Sequence, residues 1–171
     1  MNSLSDNQVS LYEEPVQEKI RKFIKIEFLL NKIYYFKGKD NKSENYMALL
    51  ALCELYEILS RSDIKSELIR EIETQNTYLK TIKQIPEADG NKLNSVLEKQ
   101  DQLLKLIYSI EVNYLDHLER DVFFKTVLKN CFTQLQPASI DFWLSRDIFN
   151  RETQIDLWLE PLIFIKRSID F

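Results

Sequence analysis

Three basic side chains stand close together near the start of the chain. Arg21, Lys22 and Lys25 lie in a segment of helical periodicity, where a rotation of about 100° per residue places them on one arc beside an apolar stripe. A cationic arc of this kind is either a solvated helix face or a surface that receives an acidic peptide. Both interpretations stay open from the residues alone, and the second makes these three side chains candidate peptide contacts.

A single acid interrupts the apolar stripe of the same segment. Glu27 follows Ile20 by seven residues and Ile24 by three, so helical spacing places its carboxylate among apolar side chains. Such a position is unfavourable for a carboxylate unless a basic group pairs with it. We therefore expect Glu27 to be buried in a structural ion pair, with Arg61 or Arg70 as the partner. The stripe expected to face the core consists of Val16, Ile20, Phe23, Ile24 and Phe28.

The residues needed for enzymatic or metal chemistry are scarce. His117 is the only histidine, and the two cysteines, Cys53 and Cys131, are far apart in sequence and lie in predicted helices. This pattern predicts buried free thiols and a partnered or exposed histidine, with no metal centre and no cofactor. Only two glycines are present, which disfavours a backbone cradle for a nucleotide. We expect no enzyme activity.

Composition bounds the fold and the partners. A chain of 171 residues with two glycines and four prolines favours one domain of long helices, preceded by a flexible tail at 1–11. The net charge of −4 gives no case for nucleic acid binding. No segment approaches the roughly 18 apolar residues of a membrane span, and the polar N-terminus is unlike a signal peptide. We expect a cytoplasmic protein without membrane insertion.

Apolar periodicity predicts a mainly α fold, an antiparallel bundle of about five to six helices. The predicted helices cover approximately 15–36, 44–59, 64–84, 115–132 and 152–171, with another that starts near 91. Pro86–Gly90 is the clearest turn and predicts a hairpin of the third and fourth helices, while Pro161 should interrupt the last helix. The aromatic stretch Ser139–Leu144 fits either a short helix or an isolated strand.

A heptad pattern runs along the fourth predicted helix. Its spacing is typical either of a bundle helix or of a seam between two chains. The second interpretation would make the protein a self-associating helical scaffold or adaptor. The seam positions are Leu93, Val96, Gln100, Leu103, Ile107 and Ile110.

Five sequence motifs resemble those of the ZapD family in order and spacing. The first is YEEP followed by EKIRKFIKIEFLL, and the second runs from Glu54 through Arg61 to Ile72, with Ser62 where the family has glycine. The other three are LERD at 118–121, FWL at 142–144 and TQIDLWL at 153–159. The resemblance covers about 12–171, which would form one helical domain.

The resemblance implies a cell division factor. ZapD proteins are dimers with a helical domain and a β-rich domain, and they bind the C-terminal tail of FtsZ and bundle its filaments. That tail carries acidic, apolar and basic members. Lys25 matches an arginine of the family's positively charged pocket, whereas other positive positions of that pocket fall near Val122 and Asp141. The family's C-terminal strands find no counterpart here, which puts the β-rich domain in doubt.

Overall fold

The computed structural model of the protein describes residues 18–85, 89–111, 113–131, 133 and 137–171. These residues form nine α-helices and a 3₁₀ turn, and none of them lies in a strand. The prediction of a mainly helical fold is confirmed, and the expected tail at 1–11 lies outside the described residues. The helices are α1 (Glu18–Lys37), α2 (Lys42–Ser60), α3 (Ile64–Ile82), α4 (Gly90–Ser109), α5 (Asp116–Arg120), α6 (Val122–Asn130), α7 (Ala138–Ser145), α8 (Ile148–Leu159) and α9 (Ile163–Ile169).

Short polar side chains set the starts of most of these helices. Each accepts a hydrogen bond from a backbone N–H of the first turn, which has no partner within the helix. In α3, Asp63 accepts from the Ser66 amide at 3.1 Å. In α4, the cap precedes Gly90, a residue that the sequence analysis assigned to the turn. The capping residues are Asn41, Asp63, Asp89, Asp121 and Asp147.

The first two helices form an antiparallel pair at the centre of the core. α1 contributes bulky aliphatic side chains, and α2 presents small residues, including Ala48 and Ala51, that are fully buried. Small side chains let two helix backbones approach closely, so the pair packs along most of its length. At the tight connection between the two helices, the Asn45 amide donates to the carbonyls of Phe36 and Lys39.

α3 and α4 form the predicted antiparallel hairpin. Near its middle, Gln100 donates to the Gln75 side chain at 3.1 Å, and towards its base Tyr108 donates to Glu73 at 3.1 Å. From the first pair to the second, the residue number rises on α4 and falls on α3, which confirms that the two helices are antiparallel. Residues 86–88 of the expected turn lie outside the described part of the chain.

The fifth predicted helix is two helices, so the expected count of five to six is too low. The break lies at Asp121, whose backbone is extended and whose carboxylate caps α6 by accepting from the Phe124 amide at 2.8 Å. The other carboxylate oxygen accepts from the Trp158 indole N–H at 2.9 Å. The two hydrogen bonds accepted by Asp121 stabilise the extended backbone at this residue. They outweigh the tendency of the flanking residues to continue one helix.

The stretch Ser139–Leu144 is part of a helix, and the alternative of an isolated strand is wrong. It belongs to α7, which buries Ile140, Trp143 and Leu144. Their spacing of three and one residues matches one face of a helix, whereas a strand would direct Trp143 and Leu144 to opposite faces. Phe142 remains 72% exposed on the other side of the helix.

The C-terminal region confirms the interruption at Pro161, because a 3₁₀ turn, Glu160–Leu162, separates α8 from α9. Helix α8 starts earlier than predicted and carries a fully buried arginine. The Arg151 guanidinium donates to the Asn45 side chain at 2.7 Å and to the carbonyls of Leu144 and Arg146 at 2.8 and 2.6 Å. This side chain therefore ties α2 to the junction between α7 and α8.

Candidate peptide-binding site

α1 buries a different face from the one that the sequence predicts. Ile24 and Phe28, assigned to the core stripe, are 48% and 62% exposed. Apolar residues occur on nearly every side of this helix, so periodicity alone does not single out the face that packs against α2. The residues that are buried are Ile26, Leu29, Leu30 and Ile33.

Exposed apolar and basic side chains lie side by side on the opposite surface of α1. We call this surface the outer face; it consists of the exposed Ile24, Phe28, Tyr35, Arg21 and Lys25 with the half-buried Lys32. Steps of three, four or seven residues align each set along the helix. The apolar row runs from Ile24 to Tyr35, which is 11 residue steps, or about 16 Å at 1.5 Å per step. Large exposed apolar side chains beside positive charge are typical of a peptide-docking surface.

The three predicted basic residues do not all share this face. Arg21 and Lys25 lie one turn apart on exposed positions of the outer face. Lys22 instead points towards α3, where its ammonium lies 2.8 Å from Glu67 and both side chains are largely buried. The structure thus brings Arg21 and Lys25 together and uses Lys22 to hold α1 against α3.

Lys25 is only partly neutralised by its own ion pair. Its ammonium lies 2.7 Å from the Glu54 carboxylate of α2, and the two side chains are 53% and 43% exposed. Ion pairs this exposed contribute little free energy and exchange readily with other partners. Lys32, which the sequence analysis missed, lies on the same row and forms no ion pair with a described residue. Its spacing of seven residues from Lys25 was the available signal.

The other positions of the family's pocket add no positive charge. Val122 begins α6 and is 78% exposed. Asp141 is an exposed acid on α7. The positive charge of the candidate site therefore comes from α1 itself.

Glu27 borders an apolar groove next to the outer face. The groove holds about 230 Å³ between α1, α3 and the C-terminal end of α9. Glu27 is partly buried there, and no described residue forms an ion pair or hydrogen bond with its side chain. The apolar side chains that line the groove are Ile20, Phe23, Ile24, Leu68, Ile72, Ile169 and Phe171.

The partners expected for Glu27 make other contacts. Arg61 pairs with Glu57 at 3.0 Å, one turn away on its own helical segment. Arg70 donates to the backbone carbonyl of Ser66 at 3.3 Å. Among the described residues, neither arginine therefore forms an ion pair with Glu27, and both engage short-range contacts on α2 and α3 instead.

The second carboxylate of the groove has partners. Glu71 accepts hydrogen bonds from the Lys19 ammonium and from the Gln75 amide. The hydrogen bond from Lys19 is the main cause that lowers the pKa of Glu71, and burial opposes it. Glu71 thus stays ionised and satisfied, whereas Glu27 presents an ionisable group without a described partner.

Residues with catalytic or metal-binding potential are occupied or buried. The His117 ring nitrogen Nε2 lies 2.9 Å from the Trp158 carbonyl. Cys53 and Cys131 are buried thiols outside any disulfide, as predicted, and burial is the main cause that raises the pKa of Cys53. Within the described ranges, no group of three His, Cys, Asp or Glu side chains is arranged to hold a metal ion.

The heptad seam of α4 lies largely inside the chain. Gln100, Leu103 and Ile107 are buried, and the positions towards the start of the helix, Leu93 and Val96, are half-buried. Since α4 packs on α3 and α9, these contacts favour the interpretation of a bundle helix over that of a seam between chains. No helix among the described residues is both long enough and apolar enough to cross a membrane.

Comparison with known proteins identifies one family. The family model for ZapD, described as a cell division protein, matches residues 24–171. Several curated relatives carry the name cell division protein ZapD. One from Azoarcus sp. (strain BH72) is 27% identical over 93% of this chain, and one from Aromatoleum aromaticum is 28% identical over 92%. A third, from Nitrosomonas europaea, is 27% identical over 95%.

The relatives are longer than this chain. The aligned region covers 65%, 64% and 64% of the Azoarcus, Aromatoleum and Nitrosomonas europaea proteins, respectively. The match includes the outer face from Ile24 onwards, α2, α3 and the remaining described helices.

Proposed function

Because this chain belongs to the ZapD family of cell division proteins, we propose that it binds the C-terminal tail of FtsZ through the outer face of α1. Its role in cell division follows from the family. The tail as ligand is supported by one structural observation, the parallel rows of exposed apolar and basic side chains on α1. A peptide with both apolar and acidic members is the chemical complement of these two rows.

The dimensions of the outer face suit a short peptide. Its apolar row of about 16 Å accommodates roughly five extended residues at about 3.3 Å each. Phe28, at the middle of the row and 62% exposed, would be the main apolar anchor. Arg21 and Lys25 would meet the acids of the tail. Arginine is suited to this role because its planar fork pairs with a carboxylate through two hydrogen bonds.

The exposure of these charges determines how binding responds to salt. Charge-assisted hydrogen bonds contribute about 1.5–3 kcal/mol when shielded and much less when exposed. Lys25 is 53% exposed, so its contribution belongs near the lower end. Affinity should therefore fall as salt is added, while the apolar contacts of Phe28 persist.

Cross-linking of filaments requires two tail sites in one assembly. We propose a homodimer that links two FtsZ filaments at the division site in the cytoplasm, without chemistry and without a cofactor. Attachment to one filament raises the effective concentration of the second site, so avidity increases without any new contact. The rival function, a helical scaffold assembled through α4, has less support because Gln100, Leu103 and Ile107 are buried within the chain.

Co-sedimentation with FtsZ filaments tests this proposal. The chain should pellet with filaments of full-length FtsZ and stay in solution with filaments that lack the tail. Arg21→Glu should reduce the pelleted fraction, whereas Lys99→Glu, an exposed position on α4, should leave it unchanged. Equal pelleting with both kinds of filament would refute the tail as the ligand and favour self-association.

A further inference from the structure

The groove beside Glu27 has the chemistry of a subsite. Seven apolar side chains line a space of about 230 Å³, and the charged side chains that line it among the described residues are those of Glu27 and Glu71. Lys19 and Gln75 already satisfy Glu71. Glu27, in contrast, has no hydrogen bond or ion pair to any described residue. A partly buried carboxylate in apolar surroundings is unfavourable until a cation neutralises it.

We propose that this groove seats an apolar side chain of the bound peptide, and that Glu27 pairs with a lysine or arginine next to that side chain. The inference rests on the proposed function, because the peptide is the FtsZ tail, whose basic members supply the cation. Its volume is sufficient for one aliphatic or aromatic side chain. The occupant is thus a basic–apolar segment of the partner, selected by the charge of Glu27.

The position of Glu27 gives the site a direction. Going round α1, the groove with Glu27 comes first, Ile24 and Phe28 follow, and Arg21 and Lys25 come last. Ile24 belongs both to the groove and to the outer face. A peptide that lies along the apolar row and presents a cation on one side and acids on the other matches this order in one orientation only. The reversed orientation would oppose like charges on both sides, which disfavours it.

A double-mutant cycle between the protein and the peptide tests the pairing. The probes are a fluorescently labelled FtsZ tail peptide and the same peptide with its lysines and arginines replaced by glutamine. Each is titrated with the wild-type chain, with Glu27→Gln and with Glu98→Gln, a matched loss of charge at an exposed position on α4. Circular dichroism and the melting temperature establish that both variants are folded.

The native peptide should bind Glu27→Gln about fivefold to tenfold more weakly than wild type, and Glu98→Gln like wild type. The neutralised peptide should bind wild type and Glu27→Gln equally, because the cation that Glu27 serves is gone. Equal affinity of wild type and Glu27→Gln for the native peptide, or an equal loss with both peptides, would overturn the subsite.

These outcomes differ from a failure of the proposed function. If the wild-type chain binds neither peptide, both the tail site and its subsite are refuted. If wild type binds the native peptide and Arg21→Glu weakens it, but Glu27 shows no coupling, the outer face stands and the groove does not belong to the site. A further comparison varies only the peptide and uses the wild-type chain throughout. Replacing the peptide's lysines and arginines by glutamine should weaken binding by the same fivefold to tenfold as Glu27→Gln.

Discussion

The ion pair between Lys25 and Glu54 predicts a substitution that should strengthen binding. Glu54 holds the Lys25 ammonium at 2.7 Å, so an acid of the tail must compete with it. Replacement of Glu54 by glutamine keeps the shape of the side chain and removes the competing charge. Both side chains are about half exposed, 53% and 43%, so the pair is worth about 0.2–1 kcal/mol. Release of that amount corresponds to about 1.4-fold to fivefold tighter binding.

The opposite substitution should weaken binding. Lys25→Glu removes the attraction for the tail, and it places a second carboxylate beside Glu54. We expect a loss of at least about tenfold, or about 1.4 kcal/mol. Glu54→Gln and Lys25→Glu change the same ion pair but should change the affinity for the tail in opposite directions. A general loss of folding would weaken binding in both variants.

Anisotropy of a labelled FtsZ tail peptide measures both effects. Glu98→Gln serves as the control for Glu54→Gln because it makes the same change in net charge on α4, away from α1. At high salt the gain from Glu54→Gln should disappear, since exposed charges are screened within a Debye length. Unchanged or weaker binding by Glu54→Gln at low salt would refute the account of Lys25 as a tail contact.

Three further predictions concern stability and reactivity. Arg151→Ala should lower the free energy of unfolding by about 3–5 kcal/mol in urea denaturation, because it leaves the buried acceptors of the guanidinium without a donor. A loss under about 1 kcal/mol would contradict this role. Cys53 and Cys131 should resist a thiol reagent in the native protein and react after unfolding, since both are buried and burial raises the pKa of Cys53; rapid native labelling would count against their burial. The hydrogen bond from Lys19 is the main cause that lowers the pKa of Glu71 in the folded state. The ionised Glu71 therefore stabilises the fold above its unfolded-state pKa, and this stabilisation is lost as pH falls through the folded-state pKa. The melting temperature of wild type should therefore exceed that of Glu71→Gln at neutral pH and converge with it in acid, and a pH-independent difference would exclude this linkage.

One helix start and one helix break could be predicted from the local sequence. Helix α3 begins at Ile64 as predicted, and Pro161 interrupts the last predicted helix, because caps and proline act through neighbouring backbone groups. The break at Asp121 was missed because its carboxylate also accepts from Trp158, a partner far away in sequence. Contacts of that kind leave no local signal.

The face that α1 buries could not be read from the sequence. Its middle third carries Ile24 and Phe28 on one side and Ile26 on the opposite side, so two apolar stripes compete. Packing against α2 decides between them, and it leaves Ile24 and Phe28 outside. Spacing along α1 was sufficient to identify Arg21 and Lys25 as neighbours. It could not show that Lys22 pairs with Glu67, because Glu67 lies on another helix, α3.

Titration of the labelled FtsZ tail with the wild-type chain and with the double variant Arg21→Glu/Lys25→Glu tests whether the outer face of α1 receives the tail. Wild type should bind, and its affinity should fall between low salt and physiological salt, where the Debye length is about 8 Å. The folded double variant should bind at least about tenfold more weakly at low salt. Equal binding by the two proteins would contradict the claim that the outer face of α1 receives the tail.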